Sequence, residues 1–270
     1  MSLYLRTLEW IGRGIAHILQ KDVRTYEPFA AYDHATLRRI LRPGDVLLVD
    51  GNQRLSIAIK YLTQSTWSHA ALYVGDALAA SGEGAEPPTL VEVELDGGCK
   101  ASPLSRYAHR NVRICRPVGL TPEDRDAVVS FMVARIGTAY DMKNVVDLVR
   151  YLMPMPPVPM RWRRRMFALG SGEPTQAICS TLIAQAFQSV QYPILPSVET
   201  VDRLGSGSSG YSREEIFHIR HHSLFTPRDF DLSPYFEVVK PTLAFGFDYK
   251  TLTWGQPADG AGPRDSKAAS

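Results

Sequence analysis

Cysteine is scarce in this chain: Cys99, Cys115 and Cys179 are the only three in 270 residues, and they lie far apart. An odd, dispersed set excludes the disulfide framework of a small secreted domain. No CxxC pair and no zinc-type Cys/His spacing occurs, so the sequence carries no metal pattern and implies no cofactor. Charge of one sign is lacking as well. Thirty Lys and Arg against 28 Asp and Glu leave a formal net charge of +2, without the basic excess of a nucleic-acid binder, and no nucleic-acid partner is expected. Long apolar runs are missing too: nothing approaches the ~20 residues of a spanning helix. The first 21 residues, broken by Arg6, Glu9, Arg13 and His17, do not read as a signal peptide. The expectation is a cytoplasmic protein, soluble or peripheral to the inner membrane.

What is present describes an ordinary folded chain, with 44% apolar and 10% aromatic residues. Leu5, Leu8, Ile11, Ile15, Ile18 and Leu19 recur at helical steps, which predicts an amphipathic helix in a 1–40 extension. A short helix from His34 to Leu41 stops at Arg42-Pro43-Gly44-Asp45. Asp45–Val49 reads as a buried strand, Ser56–Leu62 as a helix, and Ser68–Asp76 and Thr89–Leu95 as strands. Val112–Arg116 reads as an edge or half-exposed strand. Thr121-Pro-Glu-Asp is a helix start, and the helix runs to about 136, where Gly137 closes it. A second helical pattern covers Asp141–Tyr151. Four prolines between Pro154 and Pro159 then lead into Arg161-Trp162-Arg163-Arg164-Arg165, marking a Pro/Arg-rich insertion over 145–175. Ile178–Phe187 is helical, Leu204–Gly210 and the His218–His222 segment read as loops, Thr226–Asp229 as a turn and Phe236–Val239 as a strand. The tail, 246–270, has little to bury from about 255 and is expected to be disordered.

A thiolate rather than a thiol attacks carbonyls, so a reactive cysteine needs a neighbour that lowers its pKa; a helix start beside an imidazole is a common arrangement. Cys179, at the head of an apolar helix with Ser180 beside it, fits that requirement, although cysteine is also a frequent small core residue. Cys99 and Cys115, in strands or turns, read as structural. Of seven histidines, His69 heads an apolar strand and is the candidate base. A third group usually orients the imidazole. Glu92 is the candidate, with Glu94 on the same strand face as a competitor.

Five ordered segments carry a resemblance: Arg42-Pro-Gly-Asp-Val-Leu-Leu48, Trp67-Ser-His-Ala-Ala-Leu-Tyr-Val-Gly75, Val91-Glu92-Val93, Gly137-Thr-Ala-Tyr-Asp141 and Ile178-Cys-Ser-Thr-Leu-Ile183. Across residues 41–190 the chain resembles the YiiX/YebB-like group of permuted NlpC/P60 cysteine hydrolases. The resemblance implies an α+β, circularly permuted papain-like (NlpC/P60) fold over 41–245, with an antiparallel sheet packed with helices and the nucleophile at a helix N-terminus. It implies Cys179 as nucleophile, His69 as general base and Glu92 as third member; the helix start by itself offers Cys179 and Ser180 as support for the oxyanion.

The implied chemistry is an acyl-enzyme formed on an amide, in a peptide of cell-wall type or a lipopeptide. Two other readings stay open: a lipid acyltransferase or thioesterase of the lecithin:retinol acyltransferase-like branch, and a non-catalytic lipid- or peptide-binding module. The partner is accordingly a small peptide, amide or acyl-lipid substrate. Arg161, Trp162, Arg163, Arg164 and Arg165 are the candidates for peripheral membrane or anionic-ligand contact, against the alternative of a solvated loop.

Overall fold

The computed structural model describes residues 32–78, 86–94, 98–138, 178–204, 211–218 and 225–251. The expected N-terminal helix, the 145–175 insertion with its arginine cluster, the Asp141–Tyr151 helix and the end of the tail lie outside the described residues.

The described chain begins with α1 (His34–Ile40), capped by the Asp33 carboxylate, which accepts from the Thr36 N–H at 2.6 Å. β1 (Val46–Val49) follows the Pro43-Gly44 break, then α2 (Arg54–Thr63), β2 (His69–Tyr73), β3 (Leu90–Glu94), β4 (Gly98–Ser102) and β5 (Val112–Pro117). α3 (Pro122–Val133) starts as its sequence dictates: Thr121 accepts from the Asp124 N–H, and Pro122 needs no partner for an N–H it lacks. Its helical turns end at Val133, and Gly137, at φ 86°, turns the chain so that its N–H reaches the Cys99 carbonyl. After α4 (Ile178–Ser189) come β6 (Ser197–Leu204), β7 (Tyr211–His218), α5 (Pro227–Leu232), β8 (Phe236–Val239) and α6 (Pro241–Ala244).

Six strands form one antiparallel sheet in the order β4-β3-β2-β1-β5-β8. Period-two alternation divides its side chains between two cores. Val46, Leu48, Ala70, Leu72, Val91 and Val93 pack with Val128 and Met132 of α3 and Ile183, Ala184 and Phe187 of α4. Leu47, Val49, Ala71, Tyr73, Leu90 and Ile114 pack on the other side with Leu37 and Ile40 of α1 and with Leu104 and Tyr107. Both faces of β1 are therefore covered, and all four of its residues are buried. Edge-to-face contacts of Phe236 with Phe187 (5.2 Å) and Phe230 (5.5 Å) join α4, α5 and β8.

The α+β class and the antiparallel sheet packed with helices are what the sequence predicts, and three local readings change. β5 is not an edge strand, because β8, more than 100 residues further on, pairs along it from Ile114–Val239 to Pro117–Phe236. Leu204 and His218 end the two strands of a separate antiparallel pair, so neither lies in a loop. Thr226–Asp229 is not an isolated turn but the start of α5: the Asp229 carboxylate accepts from the Thr226 N–H, Thr226 caps the helix reciprocally, and Pro227 takes the first position.

Candidate active site

His69 opens β2, and Glu92 lies in the middle of β3, the neighbouring strand. The register pairs Glu92 with Ala71, so the two side chains are diagonal neighbours on one face. His69 Nε2 lies 2.5 Å from Glu92 Oε2. The Glu92 carboxylate is fully buried, while the imidazole side chain keeps 20% of its surface exposed.

Cys179, 5% exposed, occupies the first described turn of α4, the helix that packs across β2 and β3. Its thiol is a hydrogen-bonding partner of His69, so the imidazole is held between a thiol and a carboxylate. Burial alone would push the imidazole toward neutrality. The charge of Cys179 as a thiolate, its hydrogen bond, and the bond and charge of Glu92 outweigh burial and raise His69 to about 10. Burial likewise raises Glu92, yet the bond to His69, the imidazolium charge and bonds from Ser102 and Tyr107 bring it down to about 2. The arrangement stabilises the protonated imidazole.

Glu94, the competing carboxylate, is half-exposed and turned away to Lys100 and Arg106. Ser180 is buried, and its hydroxyl donates to the Phe225 carbonyl at 2.7 Å, tying α4 to the segment ahead of α5. Cys99 and Cys115 are buried, and desolvation raises both thiols, Cys99 to about 11. Arg161, Trp162, Arg163, Arg164 and Arg165 lie outside the described residues. Among the described residues no group of three or more His, Cys, Asp or Glu side chains could hold a metal ion, and no helix is long and apolar enough to cross a membrane.

No pattern in the sequence assigns a role at the site to two residues that lie near it. Tyr107 donates its phenol to Glu92 Oε2, and Trp67, two residues before His69, is buried with its indole N–H on Asp231 at 3.0 Å. Trp67 stood inside a quoted motif, but its partner is 164 residues away. Tyr107 belongs to no motif. The three-residue spacing of Leu104 and Tyr107, both buried, is the only trace it leaves.

Residues 40–151 match the family model described as permuted papain-like amidase enzyme, YaeF/YiiX, C92 family. Over that stretch the chain is YiiX-like. The matched segment holds His69, Glu92 and the first five strands, and it ends before Cys179, which joins the site through the packing of α4. The YiiX-like segment covers fewer than half of the 270 residues. A crystal structure described as that of metalloprotein YiiX from Escherichia coli O157:H7 is 14% identical, with 80% of this chain and 98% of that chain covered and a TM-score of 0.42. No curated protein matches the chain.

Proposed function

We propose that this protein is a cysteine hydrolase of amide bonds in which Cys179 is the nucleophile, His69 the proton carrier and Glu92 the group that orients His69. The observation that carries the reading is the imidazole held between the Cys179 thiol and the Glu92 carboxylate. The YiiX-like match to an amidase family supports the amide as substrate class.

With Nε2 given to Glu92, Nδ1 is the ring nitrogen left for Cys179. The thiolate attacks the amide carbonyl carbon, and N–H groups in the first turn of α4 face the developing oxyanion. As the C–N bond breaks, His69 gives its proton to the departing amine. Water, deprotonated by His69, then hydrolyses the thioester and restores the thiolate. Glu92 keeps the ring in place and stabilises its charged form throughout, so its carboxylate need not accept the proton. A small peptide or lipopeptide amide is the expected substrate.

The test is alkylation by iodoacetamide, mapped by mass spectrometry across the three cysteines. Cys179 should react at pH 7 at least about tenfold faster than Cys99 or Cys115, whose buried thiols stay protonated. Cys179→Ala should abolish both the fast labelling and amide hydrolysis. Hydrolysis retained in Cys179→Ala would overturn the assignment.

A further inference from the structure

The turn between β4 and β5 brings a tyrosine to the site from outside every motif. Leu104–Tyr107 forms one 3-10 turn, in which residues three apart share a side. Leu104 and Tyr107 both enter the core beneath the sheet, at 1% and 7% exposure. Packing fixes the Tyr107 ring 6.2 Å from the His69 ring, centroid to centroid. Its hydroxyl donates to Glu92 Oε2, the same oxygen that meets His69 Nε2. Next to it, Arg106 points outward: it pairs with Glu94 and lies 3.7 Å from the second Glu92 oxygen.

On the reading of Cys179, His69 and Glu92 given above, we infer that Tyr107 is a positioning residue, which shares Oε2 of Glu92 with His69 and takes up part of the charge that this oxygen presents to the imidazole. It acts through Glu92 and touches no reacting atom. Burial and the Glu92 charge hold the phenol well above its ordinary range, so Tyr107 stays a neutral donor while His69 titrates. A carboxylate oxygen shared between two donors gives less to each, so removing the phenol strengthens the grip of Glu92 on the imidazolium.

Tyr107→Phe keeps the ring and its packing but deletes the donor. The His69 ring is then titrated by NMR in wild type, Tyr107→Phe and Cys179→Ala. The expected result is an upward move of the His69 midpoint by half a pH unit or more in Tyr107→Phe, about threefold in proton affinity. A midpoint unchanged from wild type or below it, with stability altered or not, would overturn the inference. If Tyr107→Phe does not fold, the readout is the Tyr107 hydroxyl proton in wild type: a slowly exchanging resonance that shifts as His69 titrates supports the inference, and a resonance that is absent or does not move overturns it. Failure of the underlying reading looks different. It appears as a wild-type His69 with an ordinary midpoint that Cys179→Ala does not move.

Discussion

His69 bonds to a carboxylate diagonal to it and not to the one the strand register would set opposite. The β2–β3 ladder pairs Tyr73 with Leu90, Leu72 with Val91 and Ala71 with Glu92, then stops, although two further steps would bring Glu94 across from His69. Glu94 instead lies toward Lys100 and Arg106 at the surface, which leaves the fully buried Glu92 to meet the imidazole. Two chemically identical side chains on one strand face thus acquire different work from their surroundings.

Exchanging each carboxylate for its amide separates the two. Glu92→Gln removes the buried charge that stabilises the imidazolium and should slow alkylation of Cys179 at pH 7 by about tenfold or more. Glu94→Gln breaks surface pairs worth about 0–1 kcal/mol and should leave the rate within about twofold. Equal effects of the two substitutions would show that Glu92 has no special coupling to His69.

Folding stability should depend on pH through the same pair. His69 holds its proton more tightly in the folded chain, with a value raised from 6.5 to about 10, so its contribution is complete below 6.5 and fades as pH rises toward 10. Glu92, lowered from 4.5 to about 2, contributes fully above 4.5 and loses that contribution as pH falls toward 2. Both are complete between pH 4.5 and 6.5. Urea midpoints measured from pH 3 to 10 should show the alkaline loss, and Cys179→Ala should shrink it, because one of the charges that raises His69 is gone. An alkaline limb identical in the two proteins would contradict this.

Gly51 is a packing constraint beside the site. A Cβ added there would lie 2.3 Å from Ser56 Oγ and 2.9 Å from Ser68 Oγ. Both serines are buried, and Ser68 accepts from the Gly51 N–H immediately before His69 in the chain. Gly51→Ala should therefore cost about 1–3 kcal/mol of stability through overpacking. At Gly119 a Cβ would meet nothing within 4 Å, and only its φ of 72° opposes a side chain, so Gly119→Ala should cost about 1 kcal/mol. Urea denaturation of the two variants checks the order.

Much of the site is local information. Period-two alternation puts Glu92 on one face of β3 and Val91 and Val93 on the other, and the core divides the same way. The Thr121-Pro122 start of α3, the boundaries of β8 and the helix carrying Cys179 follow from capping residues and apolar spacing. The order of His69, Glu92 and Cys179 along the chain suggested the chemistry. Tertiary structure decided which groups met. It placed β8 outside β5, turned Glu94 outward, spent the Ser180 hydroxyl on Phe225, and brought Tyr107 to the oxygen that His69 uses. Helix and strand signals repeat every two to four residues and can be read in a window. The Tyr107–Glu92 and Ser180–Phe225 bonds join residues 15 and 45 apart, and such pairs are set by how the elements pack, which no short window of sequence contains.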